Sequence, residues 1–308
     1  MLANFFGKSK PVNFILIIVL FLLYYLMSAF VPINEQIDLT KFLNVFIVFP
    51  LFLVLFFMYN FLLSKNRLTE DNSYAFLLFT IGIGCLPEVI LDYKTIGVYI
   101  LLFLFLRRAY SLRTLKSVYQ KLFDSGFWIG VLLLLSPYYI VYVALLYISV
   151  LLFLKITLRN ILIPILGILT PLFLYFTYLF WNDDIVTFYN LFAFNLGTDF
   201  SYYNTDFYII IFAVFGVFTV GSMVLKSGSI FSVSNKFKRI WVLLIAHLVI
   251  AIVFISLVEV KNGTELVSVL IPVTFIIANW LQSVKKNWLT NIVLILFLVL
   301  SFAIHFIA

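Results

Sequence analysis

The sequence predicts an all-α, polytopic transmembrane bundle of about ten or eleven spans with a cytoplasmic N-terminus. Three observations predict it. Hydrophobic residues make up 65% of the 308 and charged residues only 11%, against about a quarter charged in soluble domains. Apolar runs long enough to cross a bilayer, about 20 residues each, recur from end to end. When the runs alternate across a membrane, only Lys41, Lys94 and Lys261 of the 20 Lys/Arg fall on the outer side, and the other 17 fall inside. That asymmetry is the positive-inside rule.

In chain order, spans are expected near 11–32, 42–63, 73–86, 95–106, 117–135, 138–154, 161–180, 207–225, 240–258, 265–283 and 288–307. Lys8 and Lys10 precede the first. Its apolar run is too long for a cleavable leader, so it reads as an uncleaved span. The third and fourth are short, and 73–106 reads either as two spans or as a re-entrant pair. Nothing is left over for a soluble domain, so residues 1–308 are expected to form one integral membrane domain.

Two segments are expected to lie along the interface. Residues 107–121 hold Arg107, Arg108, Arg113, Lys116 and Lys121, a basic amphipathic stretch suited to anionic lipid on the inner leaflet. Residues 181–208 form the longest outer loop, rich in aromatics, with four Asp and no Lys or Arg. Asp184 is placed to cap a short helix over 185–195 with Ile185, Phe188, Tyr189 and Phe192 as its stripe. Gly197 would end or turn it.

The net charge of +7 sits in short inter-span loops. It is a topology signal and does not point to nucleic acid; membrane lipid is the expected surrounding. The single cysteine, Cys85, excludes an intrachain disulfide and a cysteine-based zinc site. Metalloprotease, phosphate-loop, dinucleotide and Ser/His/Asp patterns are absent.

The acids divide the other way. Glu70, Asp71 and Asp124 are inside, and the other ten of 13 Asp/Glu are outside. The positive-inside rule does not require that enrichment. Three outer pairs are candidates: Glu35 with Asp38, Glu88 with Asp92, and Asp183 with Asp184. Paired carboxylates can act as a general base or hold a divalent cation; solvated loop charge is the plainer reading of any one pair. If Pro87 opens a helical turn, Glu88 and Asp92 share one face of it; they are the first choice because a non-spanning turn between two short spans would set them in a recess at the headgroup level. Asp183, Asp184, Tyr189, Tyr202 and Tyr203 are candidates for contacting a sugar or lipid tail, against the plainer reading of an interfacial aromatic belt. His247 lies mid-span, where an ionisable group marks a functional site by default; a neutral histidine bonded to a backbone carbonyl is the alternative. Gly126 and Gly130 fit close helix packing, Gly82 and Gly84 thin one face of the third span, and Asn279 can bond across helices.

Residues 123–178, with their F-D-S-G-F-W-I-G run, Pro137 and R-N-I-L-I-P-I-L-G-I-L-T-P run, resemble an uncharacterised multi-pass inner-membrane family of Bacteroidota. Some members are labelled carotene oxygenases, a chemistry that needs a histidine cluster; this chain has two histidines. The resemblance implies compartment and topology but no activity. A weaker, architectural likeness is to membrane glycosyltransferases that use polyprenyl-phosphate sugars; its first outer loop lacks their long juxtamembrane helices. That likeness implies a lipid-linked substrate and transfer at an outer acidic site. The alternative expectation is a non-catalytic membrane subunit of a cell-envelope complex, packed against a membrane partner. Transport fits less well, because the spans hold almost no ionisable groups.

Overall fold

The computed structural model describes residues 1–30, 39–90, 92–230 and 235–307. Among them there are helices and no strands. In order these are α1 (Leu2–Phe6), α2 (Pro11–Phe30), α3 (Leu39–Asn66), α4 (Tyr74–Gly84), α5 (Pro87–Ile90), α6 (Tyr93–Ser111) and α7 (Val118–Leu135). They continue with α8 (Tyr142–Phe153), α9 (Leu158–Trp181), α10 (Ile185–Asn190), α11 (Asp206–Ile230), α12 (Asn235–Leu257), α13 (Leu266–Leu281) and α14 (Asn287–Ile307). Eight are long and apolar enough to cross a membrane, within α2, α3, α6, α7, α9, α11, α12 and α14. The protein is a multi-pass, membrane-embedded helical bundle, and each of the eleven expected spans carries a helix. The expected short span at 95–106 is in fact 19 residues long, because the helix starts at Tyr93 and continues through Arg107–Ser111.

The chain forms two compact units. The first comprises Met1–Ile96, Asp199–Lys238 and Lys261–Ala308. Its centre is α4, whose eleven residues are all buried. A helix that is apolar on every side has to be enclosed. Gly84 lies against Tyr24 of α2 and Gly82 against Leu270 of α13. Tyr59 of α3 stacks on Phe79 at 4.0 Å, donates to the Ala75 carbonyl at 3.1 Å and pairs with Thr274 of α13 at 2.7 Å. At 1.5 Å per residue α4 is roughly 16 Å long, about half the hydrocarbon thickness. Asn279 of α13 donates to the Leu68 carbonyl at 2.9 Å, the cross-element bond its position predicts.

The second unit comprises Gly97–Thr198 and Arg239–Val260. Its closest helix pair is α7 with α9. A Cβ at Gly126 would collide with the Pro164 carbonyl, and one at Gly130 with the Ile168 carbonyl and the Pro171 ring. On α9, Asn160, Pro164, Gly167 and Pro171 are buried, while Leu162, Leu166, Leu169, Phe173 and Leu174 are exposed. Small and ring residues face inward and large aliphatics outward, the membrane pattern of close backbone packing with lipid on the far side.

The basic stretch 107–121, expected to lie along the interface as one amphipathic segment, is divided between the ends of two helices. Arg107 and Arg108 belong to the last turns of α6, Lys121 to the first turn of α7. Between them the chain reverses through a tight turn with Leu115 at φ +55° and Ser117 at φ +47°. Arg108 pairs with Asp124 at 2.8 Å. Lys121 Nζ donates to the Ser111 carbonyl at 2.8 Å and to Thr114 Oγ1 at 2.6 Å. A cation there satisfies open carbonyls and opposes the helix dipole, so local partners take charges that would otherwise reach for lipid.

Candidate functional site

The loop over 181–208 ends in a tyrosine-rich turn, Ser201–Tyr203, just before α11. Gly263, at φ +84°, turns the chain before α13, and a Cβ there would meet the Tyr208 hydroxyl. These two turns and α5 bring Glu88, Tyr202, Tyr203, Tyr208 and Glu265 together within the first unit. Tyr208 donates to Glu88 Oε1 at 3.0 Å and reaches Tyr202 Oη at 3.4 Å. Tyr203 donates to Glu265, which also accepts from the Asn262 and Gly263 N–H groups at 3.4 Å each. Glu265 is 5% exposed, whereas Glu88 is open to the outside. One carboxylate is therefore fully engaged and the other has a free flank.

Burial, opposed in part by the Tyr208 bond and reinforced by the charges of Glu88 and Glu265, pushes the Tyr202 phenol above its ordinary range. Burial and then the bond to Glu265 push Tyr203 up further. Both stay neutral hydroxyl donors near pH 7. Beside the cluster is an apolar notch of about 60 Å³, lined by residues that include Gly82, Leu86, Phe212, Leu266 and Leu270. Leu86, Phe212 and Leu266 adjoin Glu88, Tyr208 and Glu265 along their elements, so the polar cluster caps apolar space.

Glu88 and Asp92 are not one turn apart on a single helix, which corrects the pairing expected from spacing. Pro87 does open a turn, but α5 stops at Ile90. The Asp92 carboxylate then caps α6, accepting from Lys94 N at 3.1 Å, Thr95 N at 3.3 Å and the Thr95 hydroxyl. Cap bonds of this kind start a new helix and compete with continuing the old one. Glu35 and Asp38 lie outside the described residues.

The remaining candidates belong to the second unit. Asp184 caps α10 through Thr187 N at 3.4 Å and Thr187 Oγ1 at 2.7 Å, and Asp183 sits in the preceding turn at φ +54°. The helix expected over 185–195 stops at Asn190. Gly197 does not end it; its N–H meets the Leu257 carbonyl at 3.4 Å. Tyr189 is exposed. His247 is fully buried, with Nδ1 bonded to the Tyr110 hydroxyl at 2.8 Å and, among the described residues, no hydrogen-bond partner at Nε2. Its anchor is thus a phenol on another helix; the expected backbone carbonyl does not serve. Among the described residues no three His, Cys, Asp or Glu gather as a metal-binding group.

Sequence reasoning missed Glu265 and Tyr208. An acid directly before the apolar run of α13, two places after a glycine, was the available signal. No known protein-family description, curated protein or solved structure matches the chain.

Proposed function

We propose that the protein acts on a lipid-linked substrate at its acidic outer face and transfers the linked group, a glycosyl unit being the first choice. The supporting observation is Glu88, an exposed carboxylate held by Tyr208 beside an apolar notch and next to the buried Tyr203–Glu265 pair. Glu88 takes the proton of an acceptor hydroxyl, whose oxygen bonds the glycosyl carbon as that carbon's bond to the lipid phosphate breaks and the lipid phosphate leaves. Tyr202 supplies a neutral donor, Tyr208 holds Glu88 through its own hydroxyl, and the notch takes the first methylenes of the lipid. Asp92 holds the start of α6. The compartment is the bacterial inner membrane, with the site facing the periplasm and the cell envelope.

The test is a strain whose only copy carries Glu88→Gln. Its lipid-linked intermediates should accumulate at least tenfold by mass spectrometry, with normal protein abundance. Unchanged lipid pools at normal abundance would end the transferase reading.

One observation favours a second reading, a non-catalytic subunit. A groove of about 630 Å³ runs between α9 and α10, lined by residues that include Leu169, Phe173, Phe176, Phe188 and Phe192, and a partner helix fits it. Co-purification of a stoichiometric membrane partner, with Glu88→Gln silent, would select it.

A further inference from the structure

The turn that carries Tyr202 and Tyr203 follows directly on Asp199 and Phe200, neither of which has a part in the transfer chemistry. Tyr203 N–H donates to the Phe200 carbonyl and Asn204 N–H to the Ser201 carbonyl, both at 3.0 Å, and Asp199 Oδ1 accepts from Ser201 N at 2.8 Å. The Tyr203–Glu265 bond ties this turn to the Asn262–Gly263 turn. Lys261, at the start of that second turn, is 7% exposed and sets its ammonium 4.4 Å from the centre of the Phe200 ring. A Cβ on Gly263 would stand 3.6 Å from the Tyr202 ring. Both rings are thus backed by the second turn, yet Phe200 is 48% and Tyr202 38% exposed.

Carboxylates accompany these exposed rings. Asp199 is exposed, and the Ser201 N–H and hydroxyl, then the Lys261 charge, hold its carboxyl below the usual carboxylate range. Glu88 is reached from Tyr202 through the Tyr208 hydroxyl, at 3.4 Å and 3.0 Å. This chemistry selects among occupants. Hydrocarbon would strip water from two carboxylates and give nothing back. A phosphate would meet two like charges, while Lys261 is turned onto Phe200. An ammonium suits the carboxylates but not Phe200, whose ring already holds one cation. A polyol suits every part: its C–H faces pack on the rings by dispersion, and its hydroxyls donate to ionised carboxylates in charge-assisted bonds.

Building on the transferase reading, we infer that the acceptor is itself a saccharide, bound with its ring against Phe200 and Tyr202 and its reacting hydroxyl at Glu88. Asp199 takes a hydroxyl remote from the reaction. The notch stays with the lipid-linked donor, so acceptor and donor use separate surfaces that meet at Glu88. The turn is held by its own backbone bonds and by Glu265, and a platform fixed in advance lowers the ordering cost of binding.

The experiment is saturation-transfer NMR on the protein in phosphatidylserine nanodiscs, which carry no sugar. The probes are the methyl glycosides of glucose, galactose, mannose and N-acetylglucosamine, with tetramethylammonium as the cation control. At least one glycoside should bind wild type. For that glycoside Phe200→Ala should weaken binding at least fivefold and Phe200→Trp should match or exceed wild type. Tyr202→Phe, which keeps the ring, should stay within twofold, and Asp199→Asn should weaken binding at least threefold. Phe200 is half exposed, so both of its variants should keep the ligand-free melting temperature. No glycoside bound, binding undiminished by Phe200→Ala, or tetramethylammonium bound as tightly as the best glycoside would overturn the inference. The transferase reading fails separately. Phe200-dependent glycoside binding with unchanged lipid pools in the Glu88→Gln strain keeps the saccharide site and removes the transfer. Accumulated lipid intermediates with no glycoside bound keep the transfer and remove the saccharide acceptor.

Discussion

Glu265 stands one place before α13, yet its carboxylate turns back to take the hydroxyl of Tyr203, 62 residues earlier. The bond ties the tyrosine turn to the Asn262–Gly263 turn, and both carry the face against which Glu88 is set.

Removing either partner should therefore cost stability as well as geometry. Glu265→Ala leaves a buried phenol and two N–H groups short of an acceptor, a loss of about 1–3 kcal/mol. Glu265→Gln keeps an acceptor and should retain most of the melting temperature. Equal melting temperatures for wild type and Glu265→Ala in detergent would mean the pair bears no load.

The same pair predicts a pH dependence. Burial and the Glu265 bond raise the Tyr203 phenol above its ordinary value, which is near 10. A folded value above the unfolded one means the contribution is complete below about pH 10 and is lost as pH climbs towards the folded value. The stability gap between wild type and Tyr203→Phe should narrow above about pH 10. Parallel melting curves across the alkaline range would contradict it.

The glycines of α7 give a packing prediction. Gly130→Leu would drive a side chain into the Ile168 carbonyl and Pro171, and overpacking costs about 1–3 kcal/mol or more. Leu169→Ala, on the exposed side of α9, should stay within about 0.5 kcal/mol. Equal thermal stability of the two variants would show that α7 and α9 are not in backbone contact.

Topology can be read independently. Reporters fused after Lys65, Lys155 and Lys226 should give cytoplasmic signals, and fusions at Asn182 and Asn262 periplasmic ones. A periplasmic signal from within 107–121 would reverse the orientation.

What the sequence made legible follows the range of each interaction. Spans announce themselves in long apolar runs, and the Gly126–Gly130 spacing marks a close approach because it sits on one helix face. Asp184 was readable as a cap from its own neighbours. The stretch 107–121 misled because its charges suggest lipid, whereas Asp124, Ser111 and Thr114 satisfy two of them locally. Glu88 and Asp92 misled because spacing cannot say that a carboxylate will cap the next helix. The meetings of Glu265 with Tyr203 and of Glu88 with Tyr208 span 62 and 120 residues. Such encounters depend on two remote turns, and no local pattern encodes them.

The short central helix α4 has a consequence for how the protein is made. It is too short to span alone, and Tyr59 of α3, which stacks on its Phe79, pairs with the Thr274 hydroxyl 215 residues later. At roughly 5–20 residues per second of synthesis, α4 waits about 10–40 s for α13. During that interval Tyr59 has no Thr274 to bond and Gly82 no Leu270 to meet. The nascent chain therefore lacks these contacts until α13 emerges, and truncation before α13 should leave a chain that enters the membrane but is cleared by quality-control proteolysis.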